Sequence, residues 1–219
     1  ADGAALAAVA GLPLTGAADG DGIADGNGID VAGAWADALL GVAADQLALG
    51  RPATARSLVA EVTAGLDGAF GAGGGSLRSR VRAGWVGAEA ALASGDVAAA
   101  VASAEEALHR VETAPGASPV RHRAKTELVL AAALSASGAL DGTAAASTRP
   151  AELVTSALAT IEAHGFASLS WPARLLAADA DPAHADEHRR RATREVHTLL
   201  RRVDPELRRL AVESPWVPV

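Results

Sequence analysis

Cysteine, methionine and tyrosine are absent from this chain, and lysine occurs once, at Lys125. Without cysteine there is no disulfide, no thiol nucleophile and no Cys-ligated zinc, although the compartment stays open. Aromatic residues make up only 3% of the chain and its formal net charge is -7. Neither a stacking platform nor a phosphate-neutralising surface follows from that, so nucleic acid is not an expected partner. No run reaches the roughly 18 apolar residues of a membrane span; the best, Leu128 to Leu134, is short and bounded by Glu127 and Ser135. A soluble chain with no membrane partner is expected, with the cytoplasm as default. No positively charged leader precedes an apolar segment, and the chain opens at Ala1. It reads as processed or as a piece of something longer.

β-branched clusters alternating with polar residues are also missing, so no strand is predicted. What is there is alanine. Half the residues are apolar, and with Ala, Leu, Arg and Glu predominating, host-guest propensity favours helix throughout. Small side chains imply closely spaced helices. Charge is laid out unevenly: residues 1–50 hold seven aspartates and no Lys or Arg, whereas 184–219 hold eight arginines against six acids.

Turn signals recur at Leu49-Gly50-Arg51-Pro52, Ser94-Gly95-Asp96, Ser137-Gly138 and Asp181-Pro182, spaced 45, 43 and 43 residues apart. A fixed period of that size marks stacked helix pairs. The fold class predicted is all-α, a right-handed α-solenoid of about four helix-turn-helix pairs with a C-terminal capping helix. Residues 1–29 are read as a short helix followed by a flexible Gly/Asp-rich loop, and 30–219 as the repeat domain.

Helix signals fill in that frame. Asp30 is read as capping a helix to about Leu49, with Trp35, Leu39, Val42, Ala43 and Leu47 on one face. Pro52 opens the next, through Leu66. Ser76 caps a third through Ala93, whose Gly84, Gly87 and Ala88 permit a close neighbour. Asp96 caps a fourth, Val97 to about Val111. Ser118-Pro119 starts a helix through Ala136, and Ala139 to Ser147 reads as an insertion before a helix over Pro150 to His164, stopped by Gly165. A last pair is predicted at Ser170 to Ala178 and Pro182 to about Val203, followed by a terminal helix opened by Asp204-Pro205.

Arg82 to Leu108 resembles a tetratricopeptide repeat. Ala88, Gly95, Ala100 and Ala107 match the family's small residue, turn glycine and two alanines at steps of seven, five and seven. Residues Ala43, Gly50 and Ala55 match in the first pair, with Val62 in the last place, and Ala131 and Gly138 match in the third. Ala104 stands where the family usually has Phe, and the period exceeds the usual ~34. The resemblance spans about 30–203 and implies a non-catalytic domain that binds a protein or peptide in a concave groove. Loose, long-period arrays of this kind accompany bacterial transcription regulators and signalling ATPases, which implies a regulatory module of a larger protein.

In such a stack the first helices line the groove, so Arg78 and Arg82, one turn apart, and Arg121 and Lys125, one turn apart on the next, are expected to come together. Arginine there holds carboxylates through paired, charge-assisted hydrogen bonds. Partners with acidic groups, or a second copy of the chain, are the expectation. Trp85 adjoins Arg82 as an interhelix packing residue or a ligand anchor, and Glu89 and Glu127 are available for ordinary surface pairs.

Two other motifs carry chemistry. His184-Ala185-Asp186-Glu187-His188 fits H-x-x-E-H, a helical zinc motif in which two His hold the metal and Glu acts as base. That gives the alternative reading, a zinc-dependent hydrolase; the primary reading has no cofactor, no metal and no catalytic residue. Asp19-Gly20-Asp21-Gly22-Ile23-Ala24-Asp25 places alternate carboxylates where calcium could be wrapped, beside the simpler reading of a flexible acidic linker. His109, His122, His164 and His197 show no ligand spacing.

Overall fold

The computed structural model describes residues 31–72, 75–114, 119–142, 148–213 and 217–218. Asp30 as a cap, the 1–29 segment with its Asp-Gly loop, and the centre of the Gly71 to Gly75 run lie outside them. Among the described residues there are nine α-helices and no strand. They are α1 (Val31–Ala48), α2 (Pro52–Phe70), α3 (Leu77–Ala93), α4 (Val97–Thr113), α5 (Val120–Asp141), α6 (Arg149–His164), α7 (Ala167–Ala180), α8 (Ala185–Leu200) and α9 (Pro205–Glu213). A 3-10 turn, Pro182–His184, separates α7 from α8.

Helix ends are set by local chemistry that the sequence announces. The Ser76 hydroxyl accepts from the Ser79 amide at 3.1 Å, and the Asp96 carboxylate accepts from Ala99 N at 3.2 Å, each satisfying one of the orphan amides of a first turn. After α1 and α3 the chain reverses in the same way. Gly50 and Gly95 take φ of 70° and 75°, a left-handed conformation in which a side chain would be strained. The following amides, Arg51 and Asp96, then reach back to the carbonyls of Gln46 and Ala91. Gly165 ends α6 with the equivalent bond, Phe166 N to Ile161 O.

Chain contacts divide the molecule into two units, Ala1–His122 and Arg123–Val219. In the first, α1 packs on α2, α2 on α3, α3 on α4, and α1 also lies against α3. Trp35, Leu39 and Leu40 of α1, Leu58, Val62 and Leu66 of α2, and Val86 of α3 share one buried cluster. Burying a Leu, Val or Trp in this way contributes about 1.5–3 kcal/mol each, before chain entropy is set against it. Approach is close because one side of two contacts is glycine. A Cβ at Gly84 would sit 2.8 Å from that of Ala107 on α4, and one at Gly65 would sit 2.8 Å from Trp35 Cζ3.

In the second unit α6 packs on α7 and α7 on α8. Ala124 and Leu128 of α5 join Ala157 and Ile161 of α6 and Leu169 and Ala173 of α7 in one cluster, while Ala131 meets Val154 and Ala177. The neighbour relations of the first unit thus recur, with α5 touching both α6 and α7. At the C-terminal end the Asp204 carboxylate accepts from Glu206 N at 2.9 Å, and the Arg208 guanidinium donates to Leu200 O at 2.9 Å, capping the open end of α8.

Three sequence expectations are corrected. Ser137-Gly138 is not a turn, because α5 continues to Asp141 and the left-handed glycine is Gly142. A single interior glycine costs a helix about 1 kcal/mol relative to alanine, too little to end a run as rich in Ala and Leu as this one. The insertion read from Ala139 therefore begins with helix. Thirdly, α8 starts at Ala185 and ends at Leu200, shorter than Pro182 to Val203, because the stretch opened by Pro182 is a 3-10 turn.

Candidate binding site

Arg78, Arg82 and Trp85 fall at steps of four and three on α3, so they share a face. The helix next to that face is α1, and it supplies a carboxylate that the sequence reading did not single out. Asp37 lies between the two arginines: its Oδ2 is 2.5 Å from an Arg78 Nη, and its Oδ1 accepts from an Arg82 Nη. One carboxylate oxygen is given to each guanidinium, a charge-assisted pair of bonds bridging the first helices of two consecutive helix pairs. The side chain of Asp37 is 21% exposed. The pair of bonds thus sits at the wall of the fold, open to solvent on one side.

A signal for Asp37 did exist. It precedes Arg82 by 45 positions, the same spacing that separates Gly50 from Gly95. On the repeat reading of the sequence the two residues hold equivalent positions of successive helix pairs, where neighbours are expected to touch. Opposite charge at such positions is a prediction the period licenses.

The start of α5 completes the site. His122 stacks obliquely on Trp85, ring centroids 5.5 Å apart and planes inclined at 33°. Burial pushes the His122 pKa below its ordinary 6.5, the charges of Arg78, Arg121 and Arg82 push it further down, and Asp37 alone opposes them. His122 thus reports three cations gathered around one imidazole. Trp85 is buried and serves as the surface on which His122 rests. It is a packing residue, not an exposed anchor.

Of the five groove residues expected from sequence, Arg78, Arg82, Trp85 and Arg121 come together in the first unit. Lys125, half-buried, belongs to the second unit. Glu127 is no surface partner: it is 3% exposed, pairs with Arg123 Nε at 3.0 Å and accepts from the Ser156 hydroxyl at 3.2 Å. Protein-family models, curated proteins and solved structures were compared with the chain, and none matches.

The H-x-x-E-H segment is arranged differently from its motif. His184 belongs to the 3-10 turn, with its Nδ1 2.8 Å from Asp181 Oδ2, while His188 lies on α8. Glu187 faces arginines. Hydrogen bonds from Arg191 and Arg190, at 2.6 Å and 3.0 Å, hold its pKa down to about 2. A carboxylate so stabilised is a poor proton acceptor near neutrality, where an efficient base titrates close to the working pH. No cluster of three His, Asp or Glu able to hold a metal ion occurs among the described residues. His184 thus stands in the turn opened by Pro182, ahead of the helix that carries Glu187 and His188.

Proposed function

We propose that this chain is a non-catalytic helical-repeat module, tetratricopeptide-like in its helix pairs, that binds a protein or peptide through acidic groups at the face formed by Asp37, Arg78, Arg82 and Arg121. The observation that carries this reading is the seating of the Asp37 carboxylate between Arg78 and Arg82. The same two donors offer a partner carboxylate the geometry that they already give Asp37. Arg78 and Arg82 share the single Asp37 carboxylate, so the pair keeps a net positive charge towards an acidic ligand. A regulatory role within a larger protein is the biological setting this reading implies.

The repeat reading rests on separate support. Ala43, Ala88 and Ala131 are all buried, as are Ala55, Ala100 and Ala107, which are the small-residue positions of the family pattern. Recurrence of the same neighbour relations inside each unit favours a right-handed array of helix pairs as the finer description of the fold.

The test is binding of labelled Asp/Glu-rich peptides by fluorescence anisotropy at low and high salt. Affinity is expected to fall as salt screens the surplus charge, and to be lost in the double variant Arg82→Glu, Arg121→Glu at unchanged helicity. Affinity unaltered by that reversal removes the site.

A further inference from the structure

Arginines of the second unit are, with few exceptions, matched to carboxylates. Arg189 lies near Asp179 and Asp186, Arg190 and Arg191 share Glu187, and Arg209 pairs with Glu213. The open cleft of ≈ 770 Å³ beside the 3-10 turn is accordingly lined by both signs, Asp179, Asp186 and Glu187 against Arg189 and Arg190. A second cleft, ≈ 650 Å³ between the end of α8 and α9, is lined by Arg194, His197, Thr198, Arg201 and Arg208 over apolar Leu200 and Val212, with no carboxylate among the described residues of its wall.

We infer that this second cleft is a binding site for a small multivalent anion of the phosphate or pyrophosphate class. Among the described residues, Arg201 and Arg208 have no carboxylate partner, and Arg194 has only a long 3.7 Å approach to Glu187. Arg208 is held in place by donating from Nε to Leu200 O at 2.9 Å and from Nη2 towards Val203 O at 3.4 Å, which leaves its other amino group to face a ligand. Arg194, Thr198 and Arg201 follow at steps of four and three along one face. The Thr198 hydroxyl donates to Arg194 O at 2.9 Å, so recognition falls to the guanidiniums. Three planar donors suit the several charged oxygens of a phosphoryl group, where one carboxylate would leave two of them unmatched.

The experiment is calorimetric titration of the full chain with inorganic pyrophosphate at low ionic strength, with inorganic phosphate and acetate as comparison ligands. Saturable binding of one pyrophosphate, weaker binding of phosphate and none of acetate are expected. Arg201→Glu, whose guanidinium makes no hydrogen bond to the described residues, should weaken pyrophosphate at least tenfold with an unchanged thermal midpoint. Arg194→Glu should act in the same direction, whereas Arg51→Glu in the first unit, outside the face formed by Asp37, Arg78, Arg82 and Arg121, should leave binding alone. Absence of saturable pyrophosphate binding, binding indifferent to Arg201→Glu, or binding as strong for acetate as for pyrophosphate each overturns the site.

Discussion

Both units connect their helices alike, yet they solve the problem of a core poor in bulky side chains by different means. The first brings backbones together. Gly84 and Gly65 remove the side chain at two contacts, so α3 meets α4 and Trp35 lies flat on α2. The second draws charge inside. Arg174, 7% exposed, is held between Glu162 and Glu195 at 2.8 Å each, and Glu127 is buried as well. Alanine-rich helix packing can therefore be made specific either by volume or by charge, and each choice has its own weak point.

Added volume should break the first unit most severely. Replacing Gly84 by Leu pushes a branched side chain into Ala107 and the Ser103 carbonyl, already 3.2 Å from where even a Cβ would lie. A loss of about 3 kcal/mol is expected, the upper part of the overpacking range, with Gly84→Ala nearer 1 kcal/mol. Urea denaturation followed by circular dichroism checks both. Equal, small effects would mean that α4 yields freely and that glycine is not what sets the spacing.

Removing charge should be the sharper injury in the second unit. Arg174→Met preserves most of the volume but leaves Glu162 and Glu195 without their shared cation. Loss of one partner from a fully buried pair costs about 3–5 kcal/mol, and because Glu162 is 57% exposed and can turn to water, about 2 kcal/mol is expected here. The double variant Arg174→Met, Glu195→Gln should recover part of that loss. No recovery would show that Arg174 acts through packing of its aliphatic stem.

How much of this was legible in the sequence depends on the range of the signal. Ser76, Asp96, Pro52 and Gly165 mark helix ends within a few residues of themselves, and the α3 boundaries follow from them directly. Gly84 as a point of close approach was legible for the same reason. Long α5 was not, because Gly138 carries the same local signal as Gly95 and only the alanine run around it decides that the helix continues. Partners separated by many residues were hidden: Arg80 with Asp67, and Arg174 with residues 12 before and 21 after it, share no motif. Asp37 is the intermediate case: it stands 45 residues before Arg82, the spacing of Gly50 and Gly95, and that coincidence points to it only on the repeat reading.

Neutralising that aspartate separates the structural role of the first unit's surface pair from its binding role. Asp37→Asn is expected to cost no more than about 1 kcal/mol, since a partly exposed pair contributes little. The same change frees both guanidiniums and should strengthen acidic-peptide binding several-fold in the anisotropy assay. Weaker binding in this variant would mean that Asp37 aligns Arg78 and Arg82 and does not compete with the ligand.

The smallest effect expected is a dependence on pH carried by His122. Its folded pKa lies below the 6.5 of the free side chain because burial, Arg78, Arg121 and Arg82 disfavour the imidazolium. The unfolded chain therefore binds the proton more readily. His122 contributes no penalty above about pH 6.5, and stability falls as pH drops below that value until the folded pKa is passed, where the loss levels off. In Asp37→Asn the one charge favouring the imidazolium is gone, so the fall should continue to lower pH. In His122→Gln this component should vanish. Denaturation midpoints measured from pH 7.5 to 5 for the three proteins test the sign, and a midpoint that rises on acidification in the parent but not in His122→Gln contradicts the assignment of the three cations to this imidazole.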